Sequence, residues 1–293
     1  MKNIYFLGID IQNDFLDIPN NIKSNMAEID IQGNIIPYEP TLSVPNSWND
    51  ILRVSNFISV NKNHISKIIL TLDTHESFDL AHSLFWKDQN GNEPAPFTLI
   101  SHQDIIDGTW TPKQANLKQK MLDYTRKLEE NGQLKLCIWP THCRLGTLGH
   151  KLAKPFEMAV HEWEILHGAR AEKYLKGYYP LSENYGAIEA EVIDDHPSTQ
   201  PNMELLNQIK DADVLYVSGQ ALSHCVSITI RQIVKHLGTD FAKKIVLIED
   251  TTHSVSGFES EGESFLSEFK DLGMQVIQSD KEIVYESAIP LYV

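Results

Sequence analysis

A cysteine stands at the start of a predicted helix in the stretch "SGQALSHCVSITIRQIVKHL", residues 218–237. A thiol at a helix N-terminus meets backbone N–H groups and the positive end of the helix dipole, and both favour the reactive thiolate. Cys225 is therefore a candidate nucleophile. The competing interpretation is a small buried side chain, because free cysteine is among the most buried residue types. A nucleophile also needs a base, an orienting charge and a pocket from elsewhere in the chain.

A second chemical pattern lies in "TLDTHESFDLAH", where Asp73 and His75 stand two residues apart at the end of a predicted strand. Side chains two apart in an extended chain point to the same side, so this carboxylate and imidazole can share one metal ion. His142 in "IWPTHC" is a third candidate ligand, and His82 and Asp79 are further ones. Such a set suits Zn²⁺, and Fe²⁺ or Mn²⁺ almost as well. A local hydrogen bond or a helix cap is the alternative role for His75.

The elements that must position these residues are strands alternating with helices. Short apolar runs rich in Ile, Val and Leu suit strands that are buried on both faces of a parallel sheet. The clear strand candidates are 3–11, 67–73, 213–219 and 244–250, and the weaker ones are 157–162 and 274–279. Helical patterns cover 48–62, 114–130, 202–210, 223–237 and 260–272. The alternation predicts a three-layer α/β/α fold with a mostly parallel, doubly wound central sheet.

Three of the chemical residues follow predicted central strands. Ligands in open α/β sheets bind beyond the carboxyl ends of the strands. Asp10, Asp73 and the Gly219–Cys225 turn all stand at such ends. We therefore expect them to converge on one edge of the sheet.

Two stretches do not fit the alternation. Residues 16–48 are rich in Asn, Ile and Pro, and residues 83–113 are rich in turn residues and aromatics. Long irregular segments in a compact domain are usually functional loops or interface elements. We predict one domain over 1–293 with insertions near 16–48 and 83–135. These insertions offer a surface for self-association, so a homo-oligomer stays open.

Composition excludes several classes of function. The chain has 293 residues and a net charge of −15, and no cluster of Lys and Arg stands out, which disfavours nucleic acid or an anionic membrane as partner. The sequence contains no run of about 20 apolar residues that could span a bilayer. Three cysteines and no recognisable export signal predict a cytoplasmic protein with reduced thiols.

Five separated motifs resemble those of the nicotinamidases, which belong to the isochorismatase-like cysteine hydrolases. The motifs occur in the order of that family, and the Gly-x-Ala-x-x-x-Cys-Val pattern around the nucleophile is matched by Gly219, Ala221, Cys225 and Val226. The five are "GIDIQNDF" at 8–15, "DTH" at 73–75, "WPTHC" at 139–143, "YLKGYYPLSENYGA" at 174–187 and "GQALSHCV" at 219–226.

The resemblance implies a set of catalytic residues. Asp10 corresponds to the catalytic aspartate, Lys176 to the catalytic lysine and Cys225 to the nucleophile. The family has a non-proline cis peptide that falls here at Gln220–Ala221. Its oxyanion hole uses backbone N–H groups that would be those of Ala221 and Cys225.

The resemblance also implies a metal site and a substrate pocket. Asp73, His75 and His142 match the ligands of one divalent ion, most readily zinc, with iron or manganese as alternatives. The sequence lacks the proline that often follows the family's D-x-H, and the next histidine is His82, so the fourth ligand stays open. The positions that line the pocket around a pyridine ring are Phe15, Trp139 and Tyr185.

The expected function is therefore a metal-dependent, nicotinamidase-like amidase that hydrolyses nicotinamide to nicotinate and ammonia through a thioester on Cys225. A small-molecule amide is the expected partner. Two alternatives remain open from the sequence. One is another C–N hydrolase of the same superfamily, acting on a different amide or carbamoyl substrate. The other is a catalytically silent binding protein of this fold, which the joint presence of Asp10, Lys176 and Cys225 disfavours.

Overall fold

A six-stranded parallel sheet forms the centre of the molecule. The computed structural model describes residues 2–132 and 135–283. Its strands are β1 (Ile4–Ile9), β2 (Ala27–Ile29), β3 (Ile35–Pro37), β4 (Lys67–Asp73), β5 (Trp86–Lys87), β6 (Leu99–Ile100), β7 (Thr111–Pro112), β8 (Leu136–Cys137), β9 (Glu172–Lys176), β10 (Val214–Gly219), β11 (Ile245–Ile248) and β12 (Gln275–Ile277). The central sheet has the order β12-β11-β10-β1-β4-β9, and each neighbouring pair in it is parallel.

Helices cover both faces of this sheet. They are α1 (Asn20–Lys23), α2 (Ser47–Asn61), α3 (His102–Ile106), α4 (Lys118–Glu130), α5 (Lys154–His167), α6 (Met203–Ile209), α7 (Ser227–Leu237) and α8 (Glu259–Asp271). Side chains alternate along each strand, so Phe6 and Ile68 pack against α2 and α5, whereas Leu7 and Ile69 pack against α6, α7 and α8. The predicted three-layer, doubly wound α/β/α fold is confirmed.

Strand predictions failed at one edge of the sheet. Residues 157–162 are not a strand but part of α5, whose Phe156, Ala159, Val160 and Trp163 are buried at helical spacing. The strand that does occupy this edge, β9, was missed. Its sequence, EKYLK, alternates between partly buried and exposed positions before the buried Lys176, as in a strand at the edge of a sheet, so it contains no apolar run. The weaker candidate at 274–279 is confirmed as β12.

The long insertion contains more regular structure than its composition predicts. Helices α3 and α4, the strand pair β5–β7 and strand β6 lie within 83–135, and β6 pairs with β8, which follows directly at 136; residues 133 and 134 of that range lie outside the described residues. Together these elements bury a cluster of their own, which includes Phe85, Trp86, Met121 and Leu136. In the shorter insertion at 16–48, β2 and β3 form an exposed antiparallel hairpin. Within the described ranges, no helix is long and apolar enough to cross a membrane.

Candidate active site

Four strand ends meet at one edge of the sheet, and the sequence predicts three of them. Asp10 follows β1, Asp73 ends β4, Lys176 ends β9 and Gly219 ends β10. Asp73 and Lys176 are register partners in the β4–β9 pair. The chain after Gly219 then carries Cys225 to the same edge. The side chains of Asp10, Asp73, Lys176 and Cys225 are each at least nine-tenths buried.

Lys176 lies at the centre of the buried charges. Its Nζ is 3.1 Å from Oδ2 of Asp10 and 2.9 Å from Oδ1 of Asp73. The same nitrogen is 3.7 Å from Sγ of Cys225, and it donates a 2.9 Å hydrogen bond to the carbonyl of Asn184. Burial alone would lower the pKa of Lys176, but the carboxylates of Asp10 and Asp73 outweigh it and raise that pKa well above its usual value. Lys176 is therefore a fixed cation between the two aspartates and the thiol.

Asp10 is placed to act as a base. It adopts a left-handed backbone conformation with φ of 50° immediately after β1, and its Oδ1 accepts a 2.7 Å hydrogen bond from Thr71. Oδ2 makes an ion pair with Lys176 but no well-directed hydrogen bond within the described residues. Burial raises the pKa of Asp10, and the charge of Lys176 partly opposes this. A carboxylate with a raised pKa accepts a proton more readily than an exposed one.

Cys225 does not start the regular helix. It lies in a π-helical turn, Leu222–Val226, and α7 begins two residues later at Ser227. The effect that the sequence predicts for the helix start is opposed here by burial of the thiol. Burial raises the pKa of Cys225 well above its usual value, Lys176 opposes the rise, and the charges of Asp10 and Asp73 add to it. The thiol is therefore protonated at rest and needs a base.

The turn before Cys225 has a backbone conformation that requires glycine at position 219. Gly219 has a φ of 144°, and a Cβ atom there would lie 1.9 Å from the carbonyl oxygen of Ile9. The peptide between Gln220 and Ala221 is cis, as the resemblance implies. Within the described residues the amide N–H of Ala221 donates to no acceptor, whereas those of Gln220 and Leu222 do. The Ala221 N–H is thus available as an oxyanion donor.

Three histidines form a compact group beside this centre. One nitrogen from each of His75, His82 and His142 lies within 4.8 Å of the others, and all three side chains are buried. Oδ2 of Asp73 is 3.2 Å from Nε2 of His75 and 3.1 Å from Nε2 of His142. The structure therefore brings together the predicted ligands Asp73, His75 and His142 and includes the further candidate His82.

Neighbouring groups hold these side chains in orientations suited to a metal ion. Oδ2 of Asp79 accepts a 2.9 Å hydrogen bond from Nδ1 of His75, which leaves Nε2 of that ring facing Asp73. Gln12 pairs with both backbone groups of Asp73, donating to its carbonyl at 2.8 Å and accepting from its N–H at 2.7 Å. Metal-binding histidines usually have a carboxylate on the second ring nitrogen. Asp79, a candidate ligand from the sequence, thus contacts His75 instead.

The donor set fits a divalent ion. Nδ1 of His82 is buried without a hydrogen-bond partner in the described residues. Burial and the neighbouring His142 and His75 lower the pKa of His82 to about 2, so this imidazole is neutral and has a lone pair to offer. Neutral imidazoles together with one carboxylate are the ligands that zinc prefers in catalytic sites.

A narrow, mostly apolar cavity of about 30 Å³ has Cys225 in its wall. Phe15, Trp139 and Tyr185, predicted from the resemblance, all line it together with His224. Trp139 donates from Nε1 to the hydroxyl of Tyr185 at 3.1 Å. Burial lowers the pKa of His224 to about 4, so this imidazole is a neutral wall of the pocket. The aromatic walls of this cavity suit contact with a planar ring.

Sequence reasoning missed two residues of the site. Glu183 and Asn184 line the same cavity, on the segment after Lys176. Oε2 of Glu183 is buried without a partner among the described residues, and burial raises the pKa of this carboxyl to about 8. No spacing rule indicates either residue, because the irregular segment 177–202 bends back over the sheet edge. Asp14 has a structural role, because it accepts hydrogen bonds from the N–H of Cys143 and the hydroxyl of Tyr38.

Comparison with solved structures identifies the fold. The nicotinamidase/pyrazinamidase of Acinetobacter baumanii superimposes with a TM-score of 0.59 and 18% identity, covering 95% of this chain and 97% of that one. The yeast nicotinamidase superimposes with a TM-score of 0.59 and 17% identity, covering 94% of this chain and 99% of that one. For the Pyrococcus horikoshii pyrazinamidase in complex with zinc, the TM-score is 0.51 and the identity 17%, and the match covers 94% of this chain and 99% of that one. No protein-family model and no curated protein matches the sequence. The chain therefore has the fold of the nicotinamidases, as its motifs predicted.

Proposed function

We propose that this protein is a metal-dependent amidase that hydrolyses nicotinamide to nicotinate and ammonia. One observation carries the proposal: Nζ of Lys176 lies within 3.1 Å of Asp10, 2.9 Å of Asp73 and 3.7 Å of the Cys225 thiol. A base, a cation and a nucleophile are thereby joined to the proposed metal ligands in one buried site. The fold shared with nicotinamidases supports the pyridine amide as substrate.

Acylation begins with transfer of the Cys225 proton to Asp10. The sulfur attacks the amide carbon, and the carbonyl oxygen becomes an oxyanion that the N–H groups of Ala221 and Cys225 stabilise; one such donor is typically worth about 3 kcal/mol. Lys176 compensates the negative charge shared by the thiol and the carboxylate. Asp10 then returns the proton to the leaving nitrogen. The C–N bond breaks, ammonia departs and a thioester remains on Cys225.

Deacylation uses the same groups in the reverse sense. Asp10, now ionised, takes a proton from a water molecule, and the oxygen of that water attacks the thioester carbon. The tetrahedral oxyanion again meets the two N–H donors. Collapse breaks the C–S bond and yields nicotinic acid, and the proton held by Asp10 returns to the sulfur. The raised pKa of the Cys225 thiol favours this final protonation.

Asp73, His75 and His142 would hold the metal ion, with His82 as the fourth protein ligand. A divalent ion there would supply a Lewis acid for the ring nitrogen of the substrate or for water. Zinc is the metal we favour, since the similar Pyrococcus horikoshii pyrazinamidase was obtained in complex with zinc.

The test is ammonia release from nicotinamide by the purified protein, measured after chelation and again after addition of zinc, iron or manganese. We expect turnover that falls on chelation and returns with one of these metals. The Cys225→Ala variant, loaded with the same metal, is the background control. Metal binding without turnover would contradict nicotinamide as substrate, and turnover in the alanine variant would contradict the thioester.

A further inference from the structure

The loop that presents the oxyanion donor is attached to a distant helix. Gln220 is fully buried, and its Nε2 donates a 2.9 Å hydrogen bond to Oδ2 of Asp50 on α2. Asp50 is also fully buried and lies 170 residues earlier in the chain. The N–H of Ala221 belongs to the peptide that joins Ala221 to Gln220. The hydrogen bond to Asp50 therefore holds the residue on the other side of that peptide.

A histidine from a third part of the chain contacts the same carboxylate. Nδ1 of His253 lies 2.7 Å from the same Oδ2 of Asp50. The backbone carbonyl of His253 accepts a 2.8 Å hydrogen bond from the N–H of Leu222. The residues on both sides of Ala221 are therefore held by one connected unit, Gln220 through its side chain and Leu222 through its backbone.

Asp50 has no local task in its own helix that would explain its burial. It lies in the first turn of α2, but none of its helix's amide N–H groups donates to its carboxylate in the described part of the chain. Its partners are Gln220, His253 and, at 3.4 Å, Arg53. Burial of a carboxylate is costly unless such partners compensate it. Arg53 lies on α2 itself, whereas the two closer partners, Gln220 and His253, both lead away from α2 to the oxyanion loop.

We propose that Asp50 is a positioning residue for the reaction: through Gln220 and His253 it holds the Ala221 N–H in the direction in which the oxyanion develops. This inference rests on the proposed amide hydrolysis. Asp50 touches neither substrate nor the reacting atoms. Its effect is felt in the transition state, because an oxyanion donor that is free to turn loses its preorganisation.

The test compares Asp50→Ala and Gln220→Leu, alone and combined, in the metal-loaded enzyme. We expect kcat to fall by about 10–100-fold with KM changed less than about twofold, since the oxyanion contact is made only in the transition state. The double variant should lose no more than the worse single variant, because both act through one contact. Arg53→Ala is the matched control: it removes the exposed partner of Asp50 and leaves kcat unchanged.

A normal kcat in Asp50→Ala, a loss confined to KM, or losses that multiply in the double variant would overturn the proposal. If Asp50→Ala does not fold by circular dichroism, Gln220→Leu and the isosteric Asp50→Asn provide the same comparison. Failure of the proposed function is recognised separately, as wild-type protein that does not hydrolyse nicotinamide. In that case the affinity of Cys225 for pyridine-3-carbaldehyde, whose adduct carries an equivalent oxyanion, is compared by mass spectrometry. Weaker adduct formation in the variants supports the proposal, and equal formation or none in wild type overturns it.

Discussion

Asp73 accepts a 2.9 Å hydrogen bond from Lys176 at Oδ1, while its Oδ2 lies against the rings of His75 and His142. One carboxylate therefore belongs both to the charged group around the nucleophile and to the histidine cluster. Burial alone would raise the pKa of Asp73, but Lys176 and His75 hold it well below the usual range. The two halves of the site share this anion, so a change in one is felt electrostatically in the other.

Removal of the central cation should destabilise the protein strongly. In Lys176→Met, Asp10 and Asp73 lose their common partner, and breaking a buried ion pair typically costs about 3–5 kcal/mol. The control is Lys173→Met on the same strand, since Lys173 forms an exposed contact of 3.9 Å with Glu164 and such pairs contribute about 0–1 kcal/mol. Urea unfolding of the metal-free proteins measures both. Equal losses of unfolding free energy would contradict the central role of Lys176.

The nucleophile is tested against a second buried cysteine, Cys137. Cys225→Ala should lower kcat by about 10³-fold or more, because no other group can form the acyl intermediate. Cys137→Ala should retain kcat within about twofold: burial raises the pKa of this thiol to about 12, and it does not line the catalytic cavity. Ammonia release measures both variants. Comparable turnover by the two would assign the reaction to another nucleophile.

The sequence predicted the part of the site that lies on strand ends, and the reason is geometric. Parallel strands bring their carboxyl ends to one edge, so Asp10, Asp73 and the Gly219 turn had to converge once the strands were recognised. Lys176 was placed by its motif alone, because its strand has no apolar run to reveal it. The orientation of the rings in the histidine cluster depends on Asp79 and Gln12, whose contacts no periodicity indicates.

The remaining differences arise where packing decides between local preferences. The sequence of residues 157–162 predicts a short strand. These residues are helical because α5 begins with Pro155 in its first turn and continues past them to the buried Trp163. The position of Cys225 at a helix start indicates only one of the influences on the pKa of its thiol. The helix-end field is modest, whereas full burial beside two aspartates acts on the thiol from close by. Glu183 and Asn184 come from irregular chain that no pattern places.

Metal affinity should depend on the carboxylate behind His75. In Asp79→Asn the Nδ1 contact at 2.9 Å loses its charge, and replacing such a partner commonly weakens metal binding about 10–100-fold. Glu76→Gln is the control, since Glu76 is exposed and lies on the same turn. Competition with a chromophoric chelator measures zinc affinity directly and needs no turnover. Unchanged affinity in Asp79→Asn would show that zinc is bound elsewhere or without His75.

The pH dependence of stability should report on Glu191. Burial raises the pKa of this carboxyl to about 7 in the folded protein, with backbone N–H groups of Gly186 and Tyr185 opposing the rise; in the unfolded chain it is about 4.3. Between these values the folded state binds more protons, so stability falls as the pH rises through this window, by about 1–3 kcal/mol from this group. Glu191→Gln removes the ionisable group and should flatten the fall in unfolding free energy between pH 5 and pH 8.

Glu183, whose pKa burial also raises, to about 8, remains in both proteins and contributes equally to both slopes. Glu189→Gln is the control: Lys235 and His236 outweigh the effect of burial and lower the pKa of Glu189, so it is ionised in both states over this range. Urea titrations at several pH values compare the three proteins, and parallel slopes in wild type and Glu191→Gln would contradict the buried, neutral state of Glu191.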